Sequence, residues 1–216
     1  MSNIAVFGST GLIGSNLLKY LEHDTYFSKV NVITRKPIHF KNSKFKNIVI
    51  DFNDINSIKN SLKKSQIVFV SIGTTQSKVN WDLEKYKKID YEIPINIAKA
   101  AKILNINKYL FVSSAGADIN AKGFYLSLKG QIENDIIKMG IKNTYIFRPS
   151  LLMGKRKEKR IGEKIAQVIM PVFSFLLPKK YRPINAASVA KSMINLSKID
   201  INSYKIYHFE DIILSE

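Results

Sequence analysis

The chain has 216 residues, 45% of them hydrophobic and 24% charged, which is the composition of a globular protein. The absence of cysteine excludes a disulfide scaffold, a cysteine-ligated zinc site and a cysteine nucleophile. The three histidines are far apart in the sequence, so no metal site is predicted. The formal net charge is +17, and we attribute most of the lysine excess to compositional bias and solvated faces.

Short β-type runs alternate with helical patterns over the first 150 residues or so. The predicted strands span 3–7, 29–34, 48–50, 66–72, 108–113 and 144–147. The predicted helices span 11–22, 54–63, 82–104 and 122–139, and Pro94 is expected to kink or divide the third of them. Such alternation predicts βαβ units with right-handed crossovers and therefore a parallel sheet.

The fold class that follows is α/β, a Rossmann-type doubly wound parallel sheet with helices on both faces. We expect a single domain over 1–216, with a nucleotide-binding core over 1–150. The remaining 151–216 would be a small annex or lid that completes the sheet with a helix near 187–198 and a strand near 203–209. No secretory signal or membrane-spanning apolar stretch is visible, so a cytoplasmic location is expected.

A glycine-rich turn follows the first predicted strand and opens the first predicted helix. Its sequence is Gly8-Ser9-Thr10-Gly11-Leu12-Ile13-Gly14. In such turns the first glycine permits the tight bend, the second admits a pyrophosphate and the third allows close helix–strand packing. The helix N-terminus adds N–H donors and a positive dipole. These seven residues are therefore predicted to bind the phosphates of a dinucleotide cofactor.

The end of the second strand distinguishes the two nicotinamide cofactors. A carboxylate there would hold the ribose 2′-hydroxyl of NAD, whereas an arginine accommodates the 2′-phosphate of NADP. The residues present are Arg35 and Lys36, which favours NADP(H) over NAD(H). An exposed basic loop without a ligand is the alternative.

Two further loops should line the same crevice, because they follow the third and fourth strands. Asp51 and Phe52 come after the third strand, and Asp51 is placed to accept a hydrogen bond from the adenine amine. Ile72, Gly73 and Thr74 come after the fourth strand, where small residues would pass close to the cofactor ribose.

Tyr125 and Lys129 are spaced i and i+4, so they share one face of the helix after the fifth strand. That strand ends in Ser113 and Ser114, and a hydroxyl at this strand end would face the tyrosine across the pocket. Hydride exchange between nicotinamide and a carbonyl needs a proton donor, and a nearby ammonium makes a tyrosine hydroxyl more acidic. We favour Ser114 for polarising the substrate oxygen, although capping of the strand end would also explain the serines.

These motifs resemble the short-chain dehydrogenase/reductase superfamily, in particular its atypical single-domain branch of Tat-interacting-protein-30-like oxidoreductases. Besides the glycine turn, the resembling segments are residues 71–75, 89–91, 113–118, 125–130, 146–150 and 180–183. The resemblance implies a Rossmann-type fold, NADP(H) binding and an active set of Ser114, Tyr125 and Lys129. It places Arg148 and Pro149 at the border of the nicotinamide. Many members use an asparagine on the fourth helix in a proton relay, and Asn96 lies in the corresponding helix here.

The C-terminal part carries a basic run over 155–160 beside an apolar stretch over 165–177. We favour a substrate lid over the alternatives, which are peripheral contact with anionic lipid and a phosphate- or nucleic-acid-binding patch. No nucleic-acid-binding motif is present.

Two functions remain open at this stage. The favoured one is an NADP(H)-dependent oxidoreductase acting on a small carbonyl or alcohol, and the other is a non-catalytic NADP(H)-binding regulator or interaction protein. A small-molecule substrate is the expected partner, and the oligomeric state, monomer or dimer, is left open.

Overall fold

The computed structural model describes residues 2–154, 178 and 181–216. The basic run over 155–160 and the apolar stretch over 165–177 lie outside the described residues, and with them the predicted lid. None of the helices described is long and apolar enough to cross a membrane.

A parallel sheet of seven strands forms the centre of the described part. The strands are β1 (Ser2–Phe7), β2 (Phe27–Thr34), β3 (Phe45–Val49), β4 (Ile67–Val70), β5 (Lys108–Val112), β6 (Asn143–Phe147) and β9 (Tyr204–Tyr207). Their order across the sheet is β3-β2-β1-β4-β5-β6-β9, and every neighbouring pair is parallel. Two short strands, β7 (Leu152–Met153) and β8 (Ile184–Asn185), form a separate parallel pair. The predicted fold class is confirmed.

Helices cover both faces of this sheet. They are α1 (Leu12–His23), α2 (Ile55–Leu62), α3 (Leu83–Lys87), α4 (Ile93–Ile103), α5 (Phe124–Lys138), α6 (Ala186–Ser197) and α7 (Phe209–Leu214). Asp54 caps α2 by accepting hydrogen bonds from the backbone amides of Asn56 and Ser57 at 2.9 and 3.1 Å. Gly140, with φ +61°, follows the end of α5, where a left-handed residue commonly terminates a helix.

The core consists of two apolar clusters, one on each face of the sheet. Ala5 and Phe7 of β1 belong to the cluster that contains side chains of α2, α4 and α5. Ile4 and Val6 of the same strand belong to the cluster that contains side chains of α1 and α6. Successive strand residues point to opposite faces, so a strand covered on both sides is apolar throughout. This is why the central strands appear as uninterrupted apolar runs in the sequence.

The helical segment predicted over 82–104 is divided. A π-helical turn, Lys88–Glu92, separates α3 from α4, and Pro94 lies in the first turn of α4. Proline has no N–H to donate to the carbonyl of Asp90, four residues earlier, so regular α-helical bonding is interrupted there. The division predicted from Pro94 is therefore present, and the irregular turn lies just before the proline. This turn positions Asp90.

Candidate cofactor crevice and active site

The turn between β1 and α1 has a geometry that only glycine satisfies at two positions. Gly8 has φ +83°, and a Cβ added there would lie 2.5 Å from the backbone oxygen of Ser71. A Cβ on Gly14 would lie 2.1 Å from the carbonyl oxygen of Gly8. The amide of Gly11 closes the turn by donating to that same oxygen at 3.0 Å. The backbone of the turn is therefore packed closely against both the loop after β4 and the start of α1.

The N-terminus of α1 is open to an anionic ligand. Gly11 is its N-cap, no side chain caps the helix, and its first turn contains no acidic residue. The first amides, at Leu12 and Ile13, therefore belong to the set that a helix leaves without internal acceptors. Ser9 is only 4% exposed, and its hydroxyl has no hydrogen-bond partner among the described residues. A pyrophosphate would fit this cradle, because it offers oxygens both to the amides and to the orphaned hydroxyl.

A cleft of about 980 Å³ opens beside the carboxyl ends of β2 and β3. Its lining residues come from the loops after these strands and from the segment 78–93. The basic ones are Arg35, Lys78, Lys85 and Lys88. Lys36 is exposed next to Arg35 but is not part of the cleft lining. An anionic group in this cleft would therefore meet several cations in the lining.

Asp51 and Phe52 both line the cleft, with different environments. Asp51 is exposed, and its Oδ1 accepts hydrogen bonds from the backbone amide and the side-chain amide of Asn53, each at 2.9 Å. Phe52 is largely buried, with its ring packed edge-on against Phe7 at a centroid distance of 6.0 Å. Asp51 can thus present an acceptor to the cleft, while Phe52 forms its wall.

The loop after β4 connects the glycine turn to the part of the crevice that contains the candidate catalytic residues. Ser71 packs against Gly8, and Ile72 to Thr74 continue toward the π-helical turn. The amide of Thr74 donates a hydrogen bond to Oδ2 of Asp90 at 2.7 Å. A Cβ on Gly73 would lie 3.5 Å from the other carboxylate oxygen of Asp90. The predicted loop residues therefore lie against a buried carboxylate.

Tyr125 and Lys129 share one face of α5, as their spacing predicts. The Lys129 ammonium lies 5.9 Å from the ring centroid of Tyr125 and 5.6 Å from that of Phe111 in β5. The side chain of Lys129 is 4% exposed and forms an ion pair with Asp90 at 3.2 Å. Tyr125 itself is 41% exposed. The buried Lys129 ammonium therefore lies close to the ring of Tyr125, which is itself exposed to solvent.

The two candidate serines have different surroundings. Ser113 is buried, and its hydroxyl donates a hydrogen bond to the Glu133 carboxylate. Ser114 is half-buried, and among the described residues its hydroxyl is hydrogen-bonded to the carbonyl oxygen of Ala115, the next residue, at 3.3 Å. The Ser114 hydroxyl can therefore turn toward a ligand at little cost, whereas that of Ser113 is engaged in the interior.

Arg148 and Pro149 link the end of β6 to the end of β5. The Arg148 guanidinium contacts Glu133, with Nε 3.0 Å from Oε1 and Nη2 2.5 Å from Oε2. The carbonyl oxygen of Pro149 accepts a hydrogen bond from the amide of Ala115 at 2.8 Å. Arg148 is thus paired with the same buried carboxylate that Ser113 contacts, and the Pro149 carbonyl supports the loop after β5.

Asp90 is the site residue that sequence reasoning missed. It is 1% exposed and connects Thr74 to Lys129 across the crevice. Asn96, the candidate relay residue from the same helical segment, lies half-buried in α4, beyond the π-helical turn. The local signal was weak, because Asp90, although flanked by Ile89 and Tyr91, lies in a segment that also contains Lys87, Lys88 and Glu92. A buried acid of this kind requires a cationic or hydrogen-bonding partner.

Comparison with known proteins supports a nucleotide cofactor. A family model described as NAD(P)H-binding matches residues 8–196. The mitochondrial protein FMP52 of Candida albicans is 35% identical over 203 residues, covering 91% of this chain and 88% of that protein. FMP52 of Debaryomyces hansenii is 34% identical, covering 89% of this chain and 86% of its own length.

Solved structures show the fold alone, because their sequence identity to this chain is low. MoeE5 in complex with UDP-glucose and NAD superposes with a TM-score of 0.72 at 13% identity, covering 96% of this chain and 75% of that one. The uronate dehydrogenase of Agrobacterium tumefaciens gives a TM-score of 0.70 at 14% identity, with coverages of 95% and 75%. Both are Rossmann-type proteins in the same structural class.

The cytoplasmic location expected from the sequence is wrong, because the FMP52 relatives are named as mitochondrial proteins. That expectation rested on the lack of a secretory signal and of a spanning apolar stretch. Neither feature distinguishes a mitochondrial protein from a cytoplasmic one, since mitochondrial targeting uses different sequence signals. The family model covers most of the chain and the FMP52 proteins align over nearly its whole length, so the chain belongs to the NAD(P)H-binding family.

Proposed function

We propose that the chain is an NADP(H)-dependent oxidoreductase that moves hydride between a nicotinamide and a small carbonyl or alcohol. The observation that carries this proposal is the buried Lys129 ammonium beneath the Tyr125 ring. It lies at the carboxyl ends of the same parallel strands that hold the glycine turn. Ligands of open parallel sheets bind at this end, so a cofactor held by the turn would reach toward the tyrosine.

Each member of the active set has one task. When bound, the cofactor supplies or accepts the hydride at its nicotinamide ring. The Tyr125 hydroxyl gives a proton to the substrate oxygen during reduction and takes one during oxidation. The Lys129 ammonium stabilises the phenolate form of that tyrosine. The Ser114 hydroxyl donates a hydrogen bond to the substrate oxygen, which stabilises the negative charge that develops there.

The positive charge of the cleft beside the carboxyl ends of β2 and β3 supports NADP(H) over NAD(H). Arg35 lies at the end of β2, where an NAD-preferring site would place a carboxylate. Lys78, Lys85 and Lys88 also line this cleft. A 2′-phosphate in the cleft would be neutralised by several cations, and a planar guanidinium can contact two of its oxygens at once.

The proposal also concerns the location of the protein, its domain organisation and its branch within the superfamily. A mitochondrial location follows from the names of the FMP52 relatives. The 216 residues are proposed to form one NAD(P)-binding domain, in which the segment after residue 150 contributes β9 to the sheet. The Tat-interacting-protein-30-like branch of the short-chain dehydrogenases and reductases stays a prediction.

Turnover on a panel of small aldehydes, ketones and alcohols tests the proposal. We expect wild type to bind NADPH and to consume it with at least one member of the panel. Tyr125→Phe should bind the cofactor equally well and lose turnover by about a hundredfold or more, because it lacks the proton donor. Tyr204→Phe is the matched control, since Tyr204 is 52% exposed on the edge strand β9, away from the crevice.

Two results would contradict the proposal in different ways. Equal turnover in wild type and Tyr125→Phe would remove the catalytic role of the tyrosine. Tight NADPH binding with no turnover above the Tyr125→Phe level on any substrate would favour the non-catalytic NADP(H)-binding regulator.

A further inference from the structure

The ring of Tyr181 lies beside the loop after β5, the loop that carries Ser114. A Cβ added to Gly116 would lie 3.8 Å from Cε1 of Tyr181 and 3.5 Å from Cδ1 of Leu126. Both distances are ordinary van der Waals contacts, so the two side chains border the same space at Gly116. Leu126 directly follows Tyr125 in the first turn of α5. We call the side chains of Leu126 and Tyr181 the apolar wall.

The loop after β5 has a fixed position relative to the start of α5. Gly116 has φ +80°, a conformation that favours glycine. The amide of Ala117 donates to the carbonyl oxygen of Ser114 at 3.1 Å, and the amide of Asp118 donates to that of Leu126 at 3.2 Å. These bonds hold the candidate active serine, the glycine and one member of the apolar wall in one arrangement.

The other member of the apolar wall, Tyr181, is held by the segment that follows β6. The Ser150 hydroxyl donates to the carbonyl oxygen of Arg182, and the amide of Ile184 donates to that of Leu151 at 3.0 Å. The residue before Ser150 supports the loop after β5 through its carbonyl oxygen. One short segment therefore positions both the loop and the aromatic ring that lies beside it.

The same part of the chain also reaches the glycine turn. Gly154 follows β7, and a Cβ there would lie 3.0 Å from Cδ1 of Leu12, the first residue of α1. Strand β7 pairs with β8, which begins three residues after Tyr181. The β7–β8 pair therefore connects the apolar wall to the helix that forms the cofactor cradle.

The chemistry of the apolar wall suits an uncharged group. Leu126 and the space left by Gly116 offer no polar side-chain atom, and an aromatic ring contributes a large apolar surface. Tyr181 is 41% exposed, so part of this surface is available to another molecule. An apolar group bound there would be removed from water, which favours binding in proportion to the area that is covered.

We infer that Leu126 and Tyr181 bind the apolar substituent of the substrate, and that the preferred substrates are aldehydes or ketones with an aromatic or similarly bulky apolar group. This inference rests on the proposed function. In the reduction of an aldehyde, the carbonyl carbon accepts the hydride of NADPH and the oxygen accepts the Tyr125 proton, which leaves a primary alcohol and NADP⁺. With its oxygen between Ser114 and Tyr125, the substrate would extend its substituent over Gly116.

Benzaldehyde and acetaldehyde test the inference, because they share the reacting group and differ in the substituent. With NADPH, we expect kcat/KM of wild type to be about tenfold or more higher for benzaldehyde. Tyr181→Ala should lower this ratio by about tenfold, mainly through a higher KM for benzaldehyde, because a contact remote from the reacting atoms stabilises ground state and transition state alike. Leu126→Ala should lower the ratio in the same direction.

Two further variants show whether the ring itself is responsible. Tyr181→Phe keeps the ring and should keep the preference for benzaldehyde, which a role of the hydroxyl would not predict. Tyr204→Ala removes another exposed tyrosine, on the edge strand β9, and should leave the ratio unchanged.

A binding measurement needs no turnover. Benzamide and acetamide are unreactive carbonyl compounds with the same two substituents, and calorimetry gives their Kd for the protein saturated with NADPH. Benzamide should bind wild type more tightly than acetamide does. Tyr181→Ala should raise the Kd of benzamide by about tenfold and bring the two amides closer together.

The outcomes separate this inference from the proposed function. An unchanged ratio in Tyr181→Ala, or in Leu126→Ala should the first variant not fold, would overturn the inference while the protein remains an oxidoreductase. A wild type without turnover above Tyr125→Phe would overturn the proposed function. Equal benzamide binding by wild type and Tyr181→Ala would then overturn the role of Tyr181 as well.

Discussion

The hydroxyl of Ser113 is hydrogen-bonded to the carboxylate of Glu133, and the contact is buried between β5 and α5. Adjacent residues of an extended chain point in opposite directions, so Ser114 faces away from this contact. The two serines therefore have different roles. The Ser113 hydroxyl connects the end of β5 to α5, and the Ser114 hydroxyl is available to a ligand.

This division predicts different effects for the two alanine variants. Ser114→Ala should lower kcat by about tenfold to a hundredfold with little change in stability, because one donor to the substrate oxygen is lost. Ser113→Ala should lower the free energy of unfolding by about 1 kcal/mol, because a buried carboxylate loses a hydrogen bond. Steady-state kinetics and urea unfolding measure the two effects. The reverse pattern would assign the active serine to position 113.

Glu133 is expected to be important for stability. Its side chain is 3% exposed and contacts both Arg148 and Ser113. Glu133→Gln should lower the free energy of unfolding by about 3 kcal/mol, because the Arg148 guanidinium stays partly buried without a counter-charge. The control is Glu84→Gln, which breaks a pair with Lys87 in which the glutamate side chain is 77% exposed. It should cost less than about 0.5 kcal/mol, and a similar loss for both variants in urea unfolding would contradict the prediction.

Gly14→Ala should impair cofactor binding. The new methyl would lie 2.1 Å from the carbonyl oxygen of Gly8, so the glycine turn must move. We expect the Kd for NADPH, measured by calorimetry, to rise by about tenfold or more, which is about 1.4 kcal/mol of binding free energy. Gly123→Ala is the matched control, because a Cβ there meets no atom within 4 Å. Equal affinity in the two variants would show that the turn does not contact the cofactor.

Arg35→Ser tests the preference for the phosphorylated cofactor. The side chain lines the cleft at the end of β2, so its loss should weaken NADPH binding by about tenfold and leave NADH binding within about twofold. Lys46→Ser makes the same change in net charge on the exposed side of β3, outside the cleft lining. If both variants weaken NADPH binding equally, the effect is general electrostatic attraction and not contact with the 2′-phosphate.

Stability should decrease in alkaline solution. A hydrogen bond to Asp135, together with burial, raises the pKa of Tyr91 to about 12, and burial raises that of Tyr207 to about 12 as well. In the unfolded chain a tyrosine ionises near pH 10. Because the folded state holds these protons more tightly, their contribution is complete below pH ~10 and is lost as the pH rises toward ~12. The free energy of unfolding should fall across this window, and less steeply in Tyr91→Phe. Identical slopes would contradict the assignment.

Much of the sheet could be predicted from the sequence, because its central strands are buried on both faces. The first strand was predicted over 3–7 and spans Ser2–Phe7 in the structure. The third was predicted over 48–50 but begins at Phe45. It is an edge strand, with exposed residues such as Lys46, and a partly solvated strand lacks the continuous apolar signal.

Within the site, local patterns were visible and distant partners were not. The glycine turn and the i, i+4 pair of Tyr125 and Lys129 depend on a few neighbouring residues, so spacing alone identifies them. The partner of Lys129 depends on a π-helical turn 39 positions earlier, since 129 − 90 = 39. The pairing of Arg148 with Glu133 depends likewise on how β6 packs against α5. Such contacts require the tertiary structure.

The order of the strands has a consequence for synthesis of the chain. Strand β1 is made before the other six but ends in the middle of the sheet, between β2 and β4. Strand β9 is made last and pairs with β6. Until β9 emerges from the ribosome, the outer edge of β6 exposes unpaired backbone groups that can pair with other chains. A nascent chain stalled before residue 204 should therefore depend more on chaperones than the complete sheet, in which β6 is an inner strand.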